Sequence, residues 1–300
     1  MKNIYILGAG AIGASYAAVL HKYDPQCVTL VADKERCERY KKGFVINNKK
    51  YIFKTITPEE IEKPVDFVII AVKNQHLNGA IDSIEKAVGE NTIIMSLLNG
   101  ISSEEILGER FGIEKLVYSM CVGIDAVRIG NETTYSQLGK IFFGDKNNEV
   151  LSDKVKLIKD LFDKAEVPYE IPIDMYRKLW WKFMVNTGAN QISALLRAPY
   201  GVLKTDKDAR DLMRKTMEEV IDLSIPEGIN LNNEDYLHWL KVLDGLSDEG
   251  KTSMLQDVEA GRKTEVELFA GTVVELGKKY NVSTPLNEIW LAMIKVIEKN

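Results

Sequence analysis

The chain is short of the residues that build metal centres and disulfide frameworks. Its 300 residues include three cysteines, Cys27, Cys37 and Cys121, with neither C-x-x-C spacing nor an even count. That argues against a disulfide scaffold or a thiolate cluster and for reduced thiols in a cytoplasm. His21, His76 and His238 stand too far apart along the chain to suggest a metal site. No run approaches eighteen consecutive apolar residues, so no membrane-spanning helix is expected. The first twenty residues are apolar but broken by glycine, with one lysine before the first apolar run, so they do not read as a signal peptide. There is no excess of positive charge: 39 Lys and Arg against 44 Asp and Glu give a net charge of −5. That leaves no electrostatic footprint for nucleic acid or for an anionic membrane. What remains, at 45% hydrophobic and 28% charged, reads as an ordinary soluble globular chain. Its length exceeds what one core usually serves, so two domains are expected.

Glycine is present where it matters. The stretch Asn3 to Tyr16 runs a short β-favouring segment into Gly8-Ala9-Gly10-Ala11-Ile12-Gly13, a G-x-G-x-x-G turn, and then into a helical pattern. Each glycine has its own task. Gly8 makes the tight turn off the strand, Gly10 leaves room for a pyrophosphate, and Gly13 lets the helix pack closely on the sheet. The helix start offers free N–H groups and partial positive charge to phosphate. Spacing alone is weak evidence, but the strand before and the helix after supply the context that a dinucleotide site requires. A ligand-free glycine turn is the competing reading.

Taken in order, Ala14 to Lys22 reads as a helix and Cys27 to Ala32 as a second strand ending at Asp33. An acidic residue there suits the ribose 2′-hydroxyl of NAD, whereas Lys34 and Arg36 suit the 2′-phosphate of NADP. A solvated helix start would explain the same charges. Lys34 to Lys42 continues as a charged helix, and Gly43 to Lys54 alternates like a hairpin around Asn47-Asn48. Val65 to Val72 is, apart from Asp66, a continuous apolar run of the kind buried on both faces of a parallel sheet. Lys73-Asn74-Gln75-His76 comes just past its carboxyl end, where ligands sit in open α/β sheets. Asn91 to Leu98 repeats the arrangement and ends in Asn99-Gly100. Leu116 to Val122 and Ser136 to Gly144 read as further strands, the latter extending the sheet antiparallel. A helix from Asn148 to Ala165 and a short strand near Pro168 to Ile171 close this half. The alternation predicts a doubly wound α/β domain over 1–170. From 171 to 300 the periodicity is helical, with helices expected near 174–196, 206–227, 233–246, 253–280 and 286–299. From Asp174 to Asn300 only Pro199, Pro226 and Pro285 occur.

Two stretches of the second half carry chemistry. Lys182, Asn186, Asn190 and Ser193 are spaced i, i+4, i+8 and i+11, which on a regular helix makes one polar stripe. Asparagine is a poor helix-interior residue, so two on one seam suggest contact with a ligand; a solvent-facing stripe is the alternative. The second stretch, Ser253 to Glu267, is dense in charge. Spacing alone does not lift Glu265 above Glu259 or Glu267.

Together the Gly8–Gly13 turn, Lys73-x-Gln75, Leu98-Asn99-Gly100, the Lys182/Asn186/Asn190 seam, Ser253-Met254-Leu255-Gln256-Asp257, Thr264-Glu265 and Thr284-Pro285-x-Asn287 resemble the ketopantoate reductase family over essentially the whole length. The resemblance implies a Rossmann-type domain (1–170) that binds dinucleotide, an all-α domain (171–300) that carries substrate and catalysis, and an active site in the cleft. It implies reduction of 2-dehydropantoate to (R)-pantoate with NADPH, on the route to pantothenate and coenzyme A. Lys182 matches the catalytic lysine and Glu265 the acidic residue that works with it. Asn99, Asn186, Asn190 and Ser253 match substrate contacts. The cofactor set would be Gly8, Ala9, Gly10, Ala11, Ile12, Gly13, Asp33, Lys34, Lys73, Gln75, Asn99 and Glu265. The chemistry suits these types: a positioned ammonium stabilises charge on a reduced carbonyl oxygen and then donates a proton. Many members carry a basic residue where Asp33 stands. NAD(H) therefore stays open, while Lys34 and Arg36 tilt the expectation to NADP(H). Two other readings remain: a reductase of another 2-keto or 3-hydroxy acid, and a non-catalytic dinucleotide sensor. The expected partner is a small keto acid, with a monomer or homodimer equally compatible.

Overall fold

In the computed structural model, which describes residues 1–299, the glycine turn grows directly out of the sheet. Strand β1 (Ile4–Leu7) is buried at Ile4, Ile6 and Leu7 and leads through the turn into α1 (Ala11–Tyr23). β2 (Val28–Val31) pairs parallel with β1 and leads to α2 (Lys34–Tyr40). The expected hairpin forms from β3 (Phe44–Ile46) and β4 (Lys49–Tyr51). Asn47 and Asn48 both take positive φ, 45° and 62°, the conformation that a two-residue type I′ turn requires. β5 (Lys54–Ile56) returns to the main sheet beside β2. On the other side of β1 lie β6 (Phe67–Ile70), β7 (Ile93–Ser96) and β8 (Leu116–Val122), connected by α3 (Leu77–Ser83) and α4 (Ser103–Phe111). β9 (Val127–Ile129) and β10 (Glu132–Thr134) join the hairpin in a small four-stranded sheet. The sequence predicts no element there, because three-residue strands leave too short a pattern to read. β11 (Lys140–Gly144) runs antiparallel to β8, as expected, and α5 (Asp153–Ala165) leads to β12 (Tyr169–Glu170).

The main sheet runs β12-β11-β8-β7-β6-β1-β2-β5. The chain winds outward from β1 through β2 to β5, then crosses back to place β6 on the opposite side. The order reverses between β1 and β6, and that is where an open α/β sheet has its crevice. β2, β6 and β7 are buried at every residue, and β6, with no polar residue, reads as an unbroken apolar run. Apolar clusters fill both faces, one around Phe67, Tyr16 and Phe162 and another around Val68, Ile84 and Leu107. This is an α/β Rossmann-type doubly wound fold.

Contacts divide the chain into two compact units, Met1–Tyr176 and the remainder from Arg177 onward. The second is all helical, with no strand among its described residues. α6 (Met175–Val185) continues without interruption through a π turn, Asn186–Asn190, into α7 (Gln191–Leu196). Next come α8 (Tyr200–Thr205), α9 (Lys207–Ser224) and α10 (Asn233–Asp244). The single helix expected over 253–280 is broken. α11 (Ser253–Glu259) ends, Gly261 takes φ +60°, and helix resumes with a second π turn, Glu267–Gly271, leading to α12 (Thr272–Tyr280). The Arg262 N–H donates to the Asp257 carbonyl at 2.8 Å, and the Arg262 guanidinium pairs with the Asp257 carboxylate at 2.7 Å. A glycine in the left-handed conformation just past the last turn is a helix stop. α13 (Pro285–Ile297) ends the unit, with Pro285 in its first turn.

The glycines of the turn differ in what surrounds them. A Cβ on Gly13 would lie 1.9 Å from the Gly8 carbonyl oxygen, whereas one on Gly10 would meet nothing within 4 Å. Gly13→Ala should therefore cost about 1–3 kcal/mol, since backbone cannot yield like a side chain. Gly10→Ala should stay within about 0.5 kcal/mol of the wild type. Urea denaturation of the two variants checks this, and equal stabilities would contradict the packing account.

Candidate functional site

In the first unit, parallel register delivers three polar segments to one edge. Leu7 pairs with Ile70, and Ile70 with Ser96, so β1, β6 and β7 end in one row. Past that row lie the Gly8–Gly13 turn, Lys73 to His76, and Leu97 to Gly100. Gly8 leaves β1 at φ +90°, and a Cβ there would clash with the Ala71 carbonyl oxygen at 2.4 Å. The backbone thus passes directly beside the end of β6. Ala9 is buried, Gly10 exposed, and Ala11 and Ile12 half-buried. The first intrahelical bond of α1 runs from the Ala14 N–H to the Gly10 carbonyl. The N–H groups ahead of it have no partner within the helix. No acidic residue occupies that first turn, and the space at Gly10 is clear, so the turn fits a phosphate group.

Asp33 sits at the end of β2, as expected, but with a structural duty. It is the N-cap of α2: Oδ1 accepts the Arg36 N–H at 2.7 Å, and Oδ2 lies 3.4 Å from the Arg36 Nε. The carboxylate and the guanidinium therefore answer each other at the start of the helix, with Lys34 exposed beside them. Lys73 and Gln75 are exposed, and the Gln75 amide lies 3.3 Å from the His76 ring. Asn99 is half-buried and is succeeded by Gly100 at φ +86°.

Behind Asn99 lies a buried polar network that sequence reasoning missed. The Ser103 hydroxyl donates to Glu104 Oε2 at 2.8 Å, and the Ser119 N–H reaches Oε1 at 3.3 Å. Ser103 is joined to Ser96 at 2.8 Å, and Ser119 donates to the Ser96 carbonyl. The Leu98 N–H points at the Ser96 hydroxyl at 3.4 Å. Thus the turn that presents Asn99 rests on a carboxyl group 1% exposed. Burial pushes the Glu104 carboxyl up to about 7, against the hydrogen bonds from Ser103 and Ser119 that favour ionisation. In sequence Ser-Ser-Glu-Glu reads as a solvated helix start.

In the second unit, α6 is fixed by Arg177, which grips Asp235 of α10 with two bonds of 2.9 and 2.7 Å, and by the Trp181 indole on the Asp235 carbonyl. Lys178 lies over the Trp181 ring at 5.0 Å. Lys182, one turn on, is half-buried, as is Asn186, while Asn190 is buried. The expected regular stripe needs correction. A π turn begins at Asn186 and shifts the phase of the helix beyond it, and Ser193 turns inward. Its hydroxyl donates to the Ala198 carbonyl at 2.6 Å and receives the Thr252 hydroxyl at 3.1 Å. Thr252 caps α11 through the Leu255 N–H, which leaves Ser253 exposed at the first position of that helix. Ser193 is thus the strut that seats Ser253. The small residues between the asparagines also find a reason. A Cβ on Gly188 would lie 2.4 Å from the Met217 side chain, so α9 packs close against the π turn.

Glu265 is half-buried in the segment before the second π turn. Its neighbour Thr264 is held by Glu298, whose Oε1 accepts both the Thr264 N–H at 2.7 Å and its hydroxyl at 2.6 Å. The two π turns lie against each other, and the Phe183 and Phe269 rings sit 6.5 Å apart. The segments bearing Lys182 and Glu265 are therefore packed together, whereas spacing could not single out Glu265. No group of three or more metal-ligating side chains, and no helix long and apolar enough to cross a membrane, occurs among the described residues.

Comparison with known proteins matches this division. The ketopantoate reductase PanE/ApbA family model matches residues 4–148, and the ketopantoate reductase PanE/ApbA C-terminal model matches 174–298. A 2-dehydropantoate 2-reductase from Aquifex aeolicus is 31% identical over 299 residues, covering 98% of this chain and 96% of that protein. A dimeric ketopantoate reductase from Staphylococcus aureus shares the fold at TM-score 0.84 and 22% identity, covering 99% of each chain. So does a D-mandelate dehydrogenase in complex with NADH, at TM-score 0.88 and 21% identity, again covering 99% of each.

The buried Glu104 yields a pH test. Its carboxyl titrates near 7 when folded and near its ordinary 4.5 when unfolded. Its raised value means that its contribution is full below about 4.5 and is lost as pH rises through about 7. Glu104→Gln, which cannot ionise, should gain thermal stability relative to the wild type across that interval. Melting curves at several pH values from 4 to 8 measure it, and a difference that does not change with pH would refute the assignment.

Proposed function

Because the chain belongs to the ketopantoate reductase family, we propose that it is the oxidoreductase that converts 2-dehydropantoate to (R)-pantoate, supplying pantothenate and coenzyme A synthesis. The observation that carries the reading is the seating of Lys182 one turn ahead of a π turn bounded by Asn186 and Asn190. A helix that only covered a core would have no use for an ammonium and two amides at such a defect. The residues that would hold a nicotinamide dinucleotide are the Gly8–Gly13 turn, Asp33, Lys34, Lys73, Gln75 and Asn99, with Glu265. When bound, that group supplies the hydride.

The chain's own residues do the rest. As the ketone carbon is reduced, negative charge gathers on its oxygen, and the Lys182 ammonium stabilises it and delivers a proton to that atom. Glu265 favours the charged lysine and accepts a hydrogen bond from the substrate hydroxyl. Asn186 and Asn190 offer donors and acceptors to the hydroxyl and carbonyl groups, and Ser253 reaches for the carboxylate. Between cofactors, Lys34 and Arg36 favour NADP(H), and the charge of Asp33 favours NAD(H). The cap made by Asp33 gives that residue a reason to be present whichever is used.

These roles can be tested one residue at a time. Asp33→Asn removes the charge but keeps a side chain that caps well, so it should raise NADPH affinity relative to NADH without loss of stability. Equal effects on both cofactors in a fluorescence titration would mean that Asp33 does not read this position. Lys182→Ala should cost ~10²–10⁴ in kcat with 2-dehydropantoate, the usual range for a positioned proton donor, and leave dinucleotide affinity unchanged. Lys178 is equally basic but lies over Trp181, so Lys178→Ala should be mild. Steady-state kinetics in which Lys178→Ala is the more damaging would reject the role given to Lys182.

A further inference from the structure

The π turn Asn186–Asn190 raises an accounting problem. Widening a helix by one residue leaves a backbone carbonyl without its usual i+4 N–H donor, and a buried carbonyl must be satisfied. Here the donor is a side chain. The Gln191 amide, from the position four residues on, gives Nε2–H to the Thr187 carbonyl at 2.7 Å. The same Nε2 donates its second hydrogen to Asn287 Oδ1 at 2.9 Å. Asn287 in turn gives Nδ2–H to Glu219 Oε2 at 2.7 Å. Glu219 holds the start of α13 as well, accepting the Leu286 N–H at 2.8 Å and the Asn287 N–H at 3.1 Å. Gln191, Thr187 and Asn287 are 0% exposed and Glu219 8%.

The donors and acceptors leave no freedom in this relay. The Glu219 carboxylate only accepts when ionised, so Asn287 must turn its amino group toward it and its carbonyl toward Gln191. Gln191 then faces two acceptors and must present Nε2. Its own Oε1, and the Thr187 hydroxyl, find no hydrogen-bond partner among the described residues. Leaving buried polar atoms unmatched costs stability, and an apolar residue at 191 would remove the unmatched Oε1 only by taking away the donor to Asn287 Oδ1. The arrangement therefore opposes stability while it satisfies a π conformation.

We propose that Gln191, Asn287 and Glu219 form a positioning brace that holds the Asn186–Asn190 turn in its widened form and so sets the angular offset between Lys182 and Asn190. None of the three touches substrate; they act through the backbone of the turn. This gives a task to Asn287 of the Thr284-Pro285-x-Asn287 motif, far along the chain from the residues it serves. The inference rests on the substrate roles given above to Lys182, Asn186 and Asn190.

The test is Gln191→Met, which keeps volume and flexibility and removes the donor. A crystal structure of the variant should show residues 186–190 re-formed as regular α-helix or displaced from their wild-type path. Steady-state kinetics should show kcat/KM for 2-dehydropantoate down about 10–100-fold, as expected for misplacement of reacting groups. Dinucleotide affinity should be unchanged. A wild-type π turn in the variant overturns the brace whatever the activity. A regular helix with undiminished kcat/KM, while Lys182→Ala remains damaging, overturns its positioning role. A wild type that does not turn over the keto acid would instead fail the substrate reading, and the variant's structure would still decide the brace. If Gln191→Met does not fold, Asn287→Ser, which removes the far support and keeps Gln191, is judged by the same two measurements.

Discussion

Backbone hydrogen bonding is the constraint on which this structure turns. In the sheet the bonds are all made between strands, so the ends of β1, β6 and β7 fall in one row and the chain must leave them together. That single fact gathers the glycine turn, Lys73, Gln75 and Asn99 at one edge without any need for contact among their side chains. Gly8 and Gly13 are the cost of the close approach, since a Cβ on either would strike backbone. In the helical unit the same demand appears in reverse. There the ladder is interrupted twice, at Asn186–Asn190 and Glu267–Gly271. At the first interruption a side chain makes up what the backbone gives away. Both interruptions adjoin the residues to which the chemistry is assigned.

Buried polar groups support the presented ones in each unit. Glu104 and three serines lie beneath the turn of Asn99, and Gln191, Asn287 and Glu219 lie beneath the turn of Asn186. Such networks favour one arrangement because breaking any of their bonds leaves a further donor or acceptor unmet in a low-dielectric interior. Ser193 does the same on a smaller scale, tying the end of α7 to the cap of α11 and thereby placing Ser253.

Much of the fold is legible in the sequence because its signals are local. The run Phe67–Ile70 is buried throughout and has no polar residue to confuse it, and Asn47-Asn48 carries the turn chemistry of its hairpin. The position of Asp33 suggests a ribose ligand and draws attention from its capping of α2, although an aspartate before a charged helix is itself an N-cap signal. Gly261 likewise marks a helix stop inside an expected helix. The π turns are not legible, because one extra residue in a turn shifts the hydrophobic period too little to show in so short a window. Glu104 and Gln191 are hidden for a different reason. Their burial depends on partners 15 and 96 residues away, Ser119 and Asn287, and no pattern along the chain records such a distance.

The reaction itself offers the most direct measurement. Absorbance of NADPH and of NADH should fall when 2-dehydropantoate is added to the wild-type protein. The rate, expressed as kcat/KM with the better cofactor, should exceed that for every other 2-keto acid in a panel that includes an aromatic one. A higher kcat/KM for another keto acid would contradict the proposed substrate. No oxidation of either cofactor with any of them would contradict the assignment of Lys182 and its asparagines to catalysis.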